Sequence, residues 1–141
     1  MDDFERIRRL LALYAQLLDS GRLADWGELF TADATLTVYG RTYRGRAEIV
    51  REIGGMQPGP DRPVKHLLLP PVIDLAQGDA ALAWTDMSVF ATGPDRTMSI
   101  ATMGRYHDRL LRVDGGWRFR ERVLVFAGEP LPAGVEPVPA R

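Results

Sequence analysis

Cysteine is absent from the sequence, which excludes disulfides, thiolate metal sites and a cysteine nucleophile. Histidine is scarce. His66 and His107 cannot by themselves make a three-ligand zinc site, and no His-x-x-x-His or Glu-x-x-His pairing accompanies them. No glycine-rich phosphate loop follows a strand pattern. No metal and no cofactor are expected. Lysine is nearly missing too. Lys65 is the only one, the arginines are spread along the chain, and the net charge is -1. A nucleic-acid partner would need a basic face to neutralise phosphates, so none is expected. No apolar run approaches a membrane span, and the opening MDDFERIRRL lacks the apolar stretch of a signal peptide. The expectation is a cytoplasmic protein that does not engage membranes.

What is present is an ordinary globular mixture, 45% hydrophobic and 26% charged over 141 residues, enough for one domain with a real core. Phe4, Ile7, Leu11, Tyr14 and Leu18 recur at spacings of three and four and predict a first helix with one apolar stripe. Asp2 and Glu5 fit a capping box at its start, and Ser20-Gly21 fits its end. A short second helix is predicted with Asp25 as its cap and Trp26, Leu29 and Phe30 as its apolar contacts. A third spans about 46–53, stopped by Gly54-Gly55.

Strand patterns cover residues 34–39, 64–69, 72–75, 80–91, about 97–113 and 117–126, with turns at Gly40, Gly78-Asp79, Gly93-Pro94-Asp95 and Asp114-Gly115-Gly116. The segment Gln57 to Pro63 is too rich in Pro and Gly to be regular. The tail, 129–141, carries four prolines and is expected to be extended or disordered, outside a domain at 1–128. Helices first and an antiparallel meander afterwards argue for an α+β fold. Three N-terminal helices packed in a curved mixed or antiparallel sheet leave a cavity at the open end of a cone-shaped barrel.

Two polar residues stand out. His66 sits inside the apolar run Val64-Lys65-His66-Leu67-Leu68-Leu69, where an imidazole serves either as general acid or base or as a core group satisfied by a backbone carbonyl. Asp19 lies in the last turn of helix 1, where a carboxylate opposes the helix dipole. It either has work to do there or caps the following turn. Arg122 alternates with Leu124 and Phe126 on the last strand. Tyr14 and Tyr106 can offer hydroxyls to a pocket. Asp86 could face either side of its strand, and His107, of opposite parity to Tyr106, is expected at solvent or an interface.

The strings Tyr14-Ala-Gln-Leu-Leu-Asp19, Asp25-Trp26 and Leu29-Phe30-Thr-Ala-Asp33-Ala34 resemble the opening of SnoaL-like proteins. So do Tyr43-Arg-Gly45, His66 before Pro71-Val72-Ile73, and the ending Gly104-Arg-Tyr-His-Asp through Gly116-Trp117-Arg-Phe119. The resemblance covers about 3–127. It implies the scytalone dehydratase-like branch of the nuclear transport factor 2-like (ketosteroid isomerase-like) superfamily, whose fold hosts many functions. The dehydratase and dehydrochlorinase branch uses an aspartate at the end of helix 1 and a histidine on the strand after the third helix, which Asp19 and His66 match. An arginine on the last strand lines the dehydrochlorinase pocket, which Arg122 matches. Departures are clear as well. The second histidine of scytalone dehydratase falls near Ala101 or Met103, and its two water-holding tyrosines fall at Leu18 and about Val38.

The resulting expectation is a cofactor-independent lyase or isomerase, of dehydratase or cyclase type, acting on a small hydrophobic, cyclic or polyketide-like molecule. His66 and Asp19 are the expected catalytic pair. Tyr14, Leu18, Trp26, Val38 and Met87, with Val89, Tyr106, Arg122, Leu124 and Phe126, are the expected pocket. The alternatives are a non-catalytic binding or assembly module of the same fold and a small subunit supporting an oxygenase partner. Trp84, Ser88 and Phe90 alternate with the inward set, so a homodimer or larger assembly is expected through the outer face of the sheet.

Overall fold

A computed structural model describes all residues, 1–141. The chain runs α1 (Asp3–Asp19), α2 (Leu23–Gly27), β1 (Phe30–Val38), β2 (Arg41–Arg44), α3 (Arg46–Gly55), β3 (Val64–Leu68), β4 (Val72–Leu75), β5 (Ala80–Thr92), β6 (Met98–Val113) and β7 (Gly116–Phe126). The capping box forms as the sequence predicts: Asp2 accepts from the Glu5 N–H, and the Glu5 carboxylate accepts from the Asp2 N–H. The α1 stripe buries Ile7, Leu10, Leu11, Tyr14, Ala15, Leu17 and Leu18. Each large aliphatic group there contributes about 1.5–3 kcal/mol by leaving water. Phe4, assigned to the same stripe, is 39% exposed.

The second helix differs from expectation. Its N-cap is Arg22, with no side-chain cap, and Asp25 sits inside the first turn, paired to the Arg22 guanidinium. Phe30 belongs to β1 rather than to that helix. Its backbone is in register with Phe119, and the Phe119 N–H donates to the Leu29 carbonyl, which starts the strand four residues early.

One seven-stranded sheet has the order β2-β1-β7-β6-β5-β3, with β4 also on β5. Every pairing is antiparallel except β1 with β7. β3 and β4 share the same edge of β5, β3 against Met87–Ala91 and β4 against Ala81–Trp84. The sheet is curved and unclosed, with the helices in its concavity, the cone fold of nuclear transport factor 2-like proteins. One close approach between strands requires glycine. A Cβ on Gly104 would lie 2.4 Å from the Val125 carbonyl oxygen, so only glycine lets β6 pass β7 this closely.

The narrow end of the cone is filled by aromatics. Tyr14 packs on Trp26, Phe30, Tyr106 and Phe119 with ring centroids 5.4–6.1 Å apart, most in edge or tilted contact. No helix is long and apolar enough to cross a membrane.

The C-terminal tail has no regular structure and lies against the outer face of the sheet. The Glu136 carbonyl accepts from Trp84 Nε1 at 2.9 Å and from His107 Nδ1 at 2.9 Å. Arg109 donates to the Glu136 carboxylate at 3.1 Å. His107, expected at solvent or an interface, is therefore buried, and so is Trp84. Asp86 faces outward too, paired to Arg105 at 2.6 Å.

Candidate active site

The wide end of the cone holds a cavity of about 180 Å³. An engineered void of roughly 150 Å³ holds a benzene molecule, so this space suits about one ring with small substituents. Its walls come from α1, the end of α3 with the loop behind it, and the long strands. Tyr14, Leu18, Val38, Met87, Val89, Tyr106 and Leu124 line it, all of them expected from periodicity or resemblance.

Three expected residues do not reach it. Trp26 is fully buried in the aromatic core beneath Tyr14. Phe126 lies at the outer rim against Tyr39, ring centroids 5.4 Å apart. Arg122 is drawn beneath the floor by Asp108, its directly paired neighbour on β6. The two form a forked ion pair with both contacts at 2.8 Å and no exposure on either side chain.

Sequence reasoning missed the other wall. Ile53, Met56, Gln57 and Pro58 close one side, and Tyr39, Ala101 and Thr102 stand on the other. The irregular loop was legible as irregular, but nothing local said that it folds back over the mouth. Tyr39 carries φ 52 in the β1–β2 turn, a left-handed conformation uncommon outside glycine and asparagine. The neighbouring Gly40 was the one available sign of that turn.

On this wall α1 ends where β3 begins. The Asp19 carboxylate reaches across to β3 and takes two contacts from one residue. The His66 backbone N–H donates to Oδ2 at 2.9 Å, and His66 Nδ1 lies 2.5 Å from Oδ1. The side chains are 5% and 11% exposed, so water scarcely competes. These two hydrogen bonds offset the unfavourable position of a carboxylate at a helix C-terminus. A carboxylate of this kind accepts from Nδ1 when the imidazole carries its proton there. Nε2 has no protein partner, and His66 lines the cavity.

Two phenols share the cavity. Burial raises the Tyr14 pKa against the opposing pull of Arg122, and burial pushes Tyr106 well up, reinforced by Tyr14. Both stay protonated at neutral pH, with one hydroxyl hydrogen-bonded to the other. No lysine or arginine lines the space, and no cluster of three or more His, Asp or Glu side chains is placed to hold a metal ion. The arrangement can therefore move a proton and donate a hydrogen bond to a neutral ligand.

Among solved structures, the chain is similar to a protein of unknown function from Mycobacterium tuberculosis, Rv3472. The identity is 25%, the TM-score 0.80, and the match covers 88% of this chain and 71% of that one. It is similar at 22% identity and TM-score 0.77 to a Novosphingobium aromaticivorans protein provisionally assigned as a scytalone dehydratase, over 89% of this chain and 84% of the other. At 22% identity and TM-score 0.76 it also resembles the beta subunit of a provisionally assigned aromatic-ring-hydroxylating dioxygenase from the same organism, over 95% of each chain. At these identities the last two show the fold alone. No curated protein matches the chain. The SnoaL-like domain matches residues 1–123, the span that carries the cone and the Asp19–His66 wall, and the chain belongs to that family.

Proposed function

We propose that the protein is a cofactor-independent lyase or isomerase acting on a small, neutral, hydrophobic molecule of about one ring. The observation that carries this reading is the Asp19–His66 pair on the wall of an otherwise apolar cavity. Asp19 fixes the imidazole with the proton on Nδ1, which leaves Nε2 as the base, and it stabilises the imidazolium that forms. His66 Nε2 takes a proton from carbon beside a carbonyl, and the bonding pair moves onto the carbonyl oxygen. The imidazolium then returns a proton. Given to a departing hydroxyl, it completes a dehydration with loss of water; given to another carbon, it completes an isomerisation. A positioned base of this kind contributes roughly a hundred- to ten-thousand-fold.

A panel of cyclic β-hydroxy ketones, enones and phenol-bearing polyketide mimics, with binding and product formation followed separately, tests the reading. The expected result is a substrate that wild type converts and that His66→Ala binds without converting. Full turnover by His66→Ala would overturn it. Ligands that bind wild type and His66→Ala equally, with no member of the panel converted, would mark the protein as a binding module.

A further inference from the structure

The cavity opens onto a second apolar surface. Ile100, Ala101 and Thr102 are consecutive in β6, yet all three border one groove of about 510 Å³, with Tyr39 and Phe126 also in its walls. A regular strand would send alternate side chains to opposite faces. A β-bulge prevents that here: Thr102 pairs with Val89 and Ile100 with Phe90, so Ala101 is the extra residue. Bulges of this kind re-aim side chains at the rim of a sheet. Tyr39, Ala101 and Thr102 also line the cavity, so cavity and groove are continuous.

The groove turns apolar groups to water. Ile100 is 56% exposed and Tyr39 64%. Tyr39 is held there at φ 52, a strain that glycine would avoid, and its ring leans on Phe126 at the rim instead of entering the core. Size points the same way. The cavity's 180 Å³ lies below the roughly 300–1,000 Å³ of ordinary small-molecule sites, whereas cavity and groove together lie within that range. No charged side chain borders the groove.

We propose that this groove is a second subsite, which takes a hydrocarbon arm carried by the ring that the cavity holds. The inference rests on the reading above that the cavity takes the reacting ring, and it extends the ligand class from one ring to a ring with an apolar arm. The ring occupies the enclosed end beside His66, and the arm leaves through the mouth past Tyr39 and Ile100. A carboxylate or phosphate on that arm would find no ion-pair partner, while an alkyl or isoprenoid-like arm leaves water on contact with Ile100, Tyr39 and Phe126.

Calorimetric titration with cyclohexanone and its 4-methyl, 4-propyl and 4-pentyl derivatives tests this. Wild type should gain about twofold in affinity per arm carbon, short of the roughly fourfold that complete burial of a methylene gives, because the groove is open on one side. Ile100→Thr keeps the β-branch, and Tyr39→Asn places in the left-handed turn a residue that tolerates it. Each should cut the gain over the pentyl arm at least threefold. Ile100→Thr should still bind cyclohexanone as wild type does, since Ile100 does not line the cavity. An affinity independent of arm length in wild type would overturn the proposal, and so would a gain that both variants keep. A changed sedimentation of Ile100→Thr with the gain intact would assign the groove to a second copy and overturn it equally. His66→Ala should keep the whole gain. A flat series beside His66-dependent conversion therefore sinks the arm and leaves the proton-transfer reading standing, and a graded series in a protein that converts nothing does the reverse.

Discussion

At the scale of single residues, the lining was legible from periodicity, and the candidate pair stood out where it broke a local rule and was joined by the family resemblance. Asp19 was visible because a helix C-terminus disfavours a carboxylate, and His66 because an apolar strand seldom holds an imidazole without reason. The structure places them 2.5 Å apart. Arg122 was misplaced for an equally physical reason. Strand parity put it on the inward face, which is where it lies, but parity does not reveal a cross-strand partner. Only the β6–β7 register sets Asp108 opposite it and pulls the guanidinium under the floor. Asp19→Asn keeps the shape of the contact and removes its charge. We expect conversion of any accepted substrate to fall at least a hundredfold, with thermal stability changed by no more than about 1–3 kcal/mol, as for loss of one charged hydrogen bond. Steady-state rates beside a thermal melt check it, and a loss of activity matched by unfolding at assay temperature would remove its meaning.

At the scale of elements, helices and long strands followed their periodicities, and the differences arose at ends. β1 begins early because Phe30 belongs to the aromatic core, and α2 lacks the side-chain cap that Asp25 was assigned. The first turn of α1 is tied to the β6–β7 hairpin by Asp3, which accepts from Trp117 Nε1 at 3.0 Å and from Arg112 at 2.8 Å. The Trp117 hydrogen bond, with help from Arg112 and against burial, lowers the Asp3 pKa. A depressed carboxylate adds stability above its unfolded-state value and loses it as pH falls through the folded-state value. Asp3→Asn should therefore lower the urea midpoint at pH 7, and the gap from wild type should shrink below about pH 4, where the unfolded carboxyl is protonated. A gap independent of pH would assign the tie to neutral hydrogen bonding instead. Gly104→Ala is expected to cost about 1–3 kcal/mol, as overpacking does, because its Cβ would meet the Val125 carbonyl oxygen at 2.4 Å. Denaturant unfolding measures it directly, and an unchanged midpoint would show that β6 and β7 can separate freely there.

At the scale of the whole molecule, the order of elements and the family resemblance made the cone legible, while the wall formed by the 56–58 loop and the course of the tail were not. Both are set by long-range docking of segments without periodicity. The tail changes the expected assembly surface. Trp84 is covered by Glu136, but Leu67, Leu69 and Met103 remain 47%, 61% and 54% exposed beside Phe90 on the same face. We propose that a homodimer forms there, through the apolar surface that the tail leaves open. Sedimentation equilibrium of the full chain at micromolar concentration should give twice the chain mass, and a monomer would contradict it.

The central claim is that His66, held by Asp19, abstracts a proton from a ligand in the cavity. Solvent-deuterium exchange at carbon beside the carbonyl of a bound cyclic ketone reports that step without requiring the natural substrate. Followed by mass spectrometry, wild type should exchange the label. His66→Ala and Asp19→Asn should each lose the activity, and the double variant should be no worse than His66→Ala, since residues acting as one unit fail together. Exchange in His66→Ala at the wild-type rate would contradict the account.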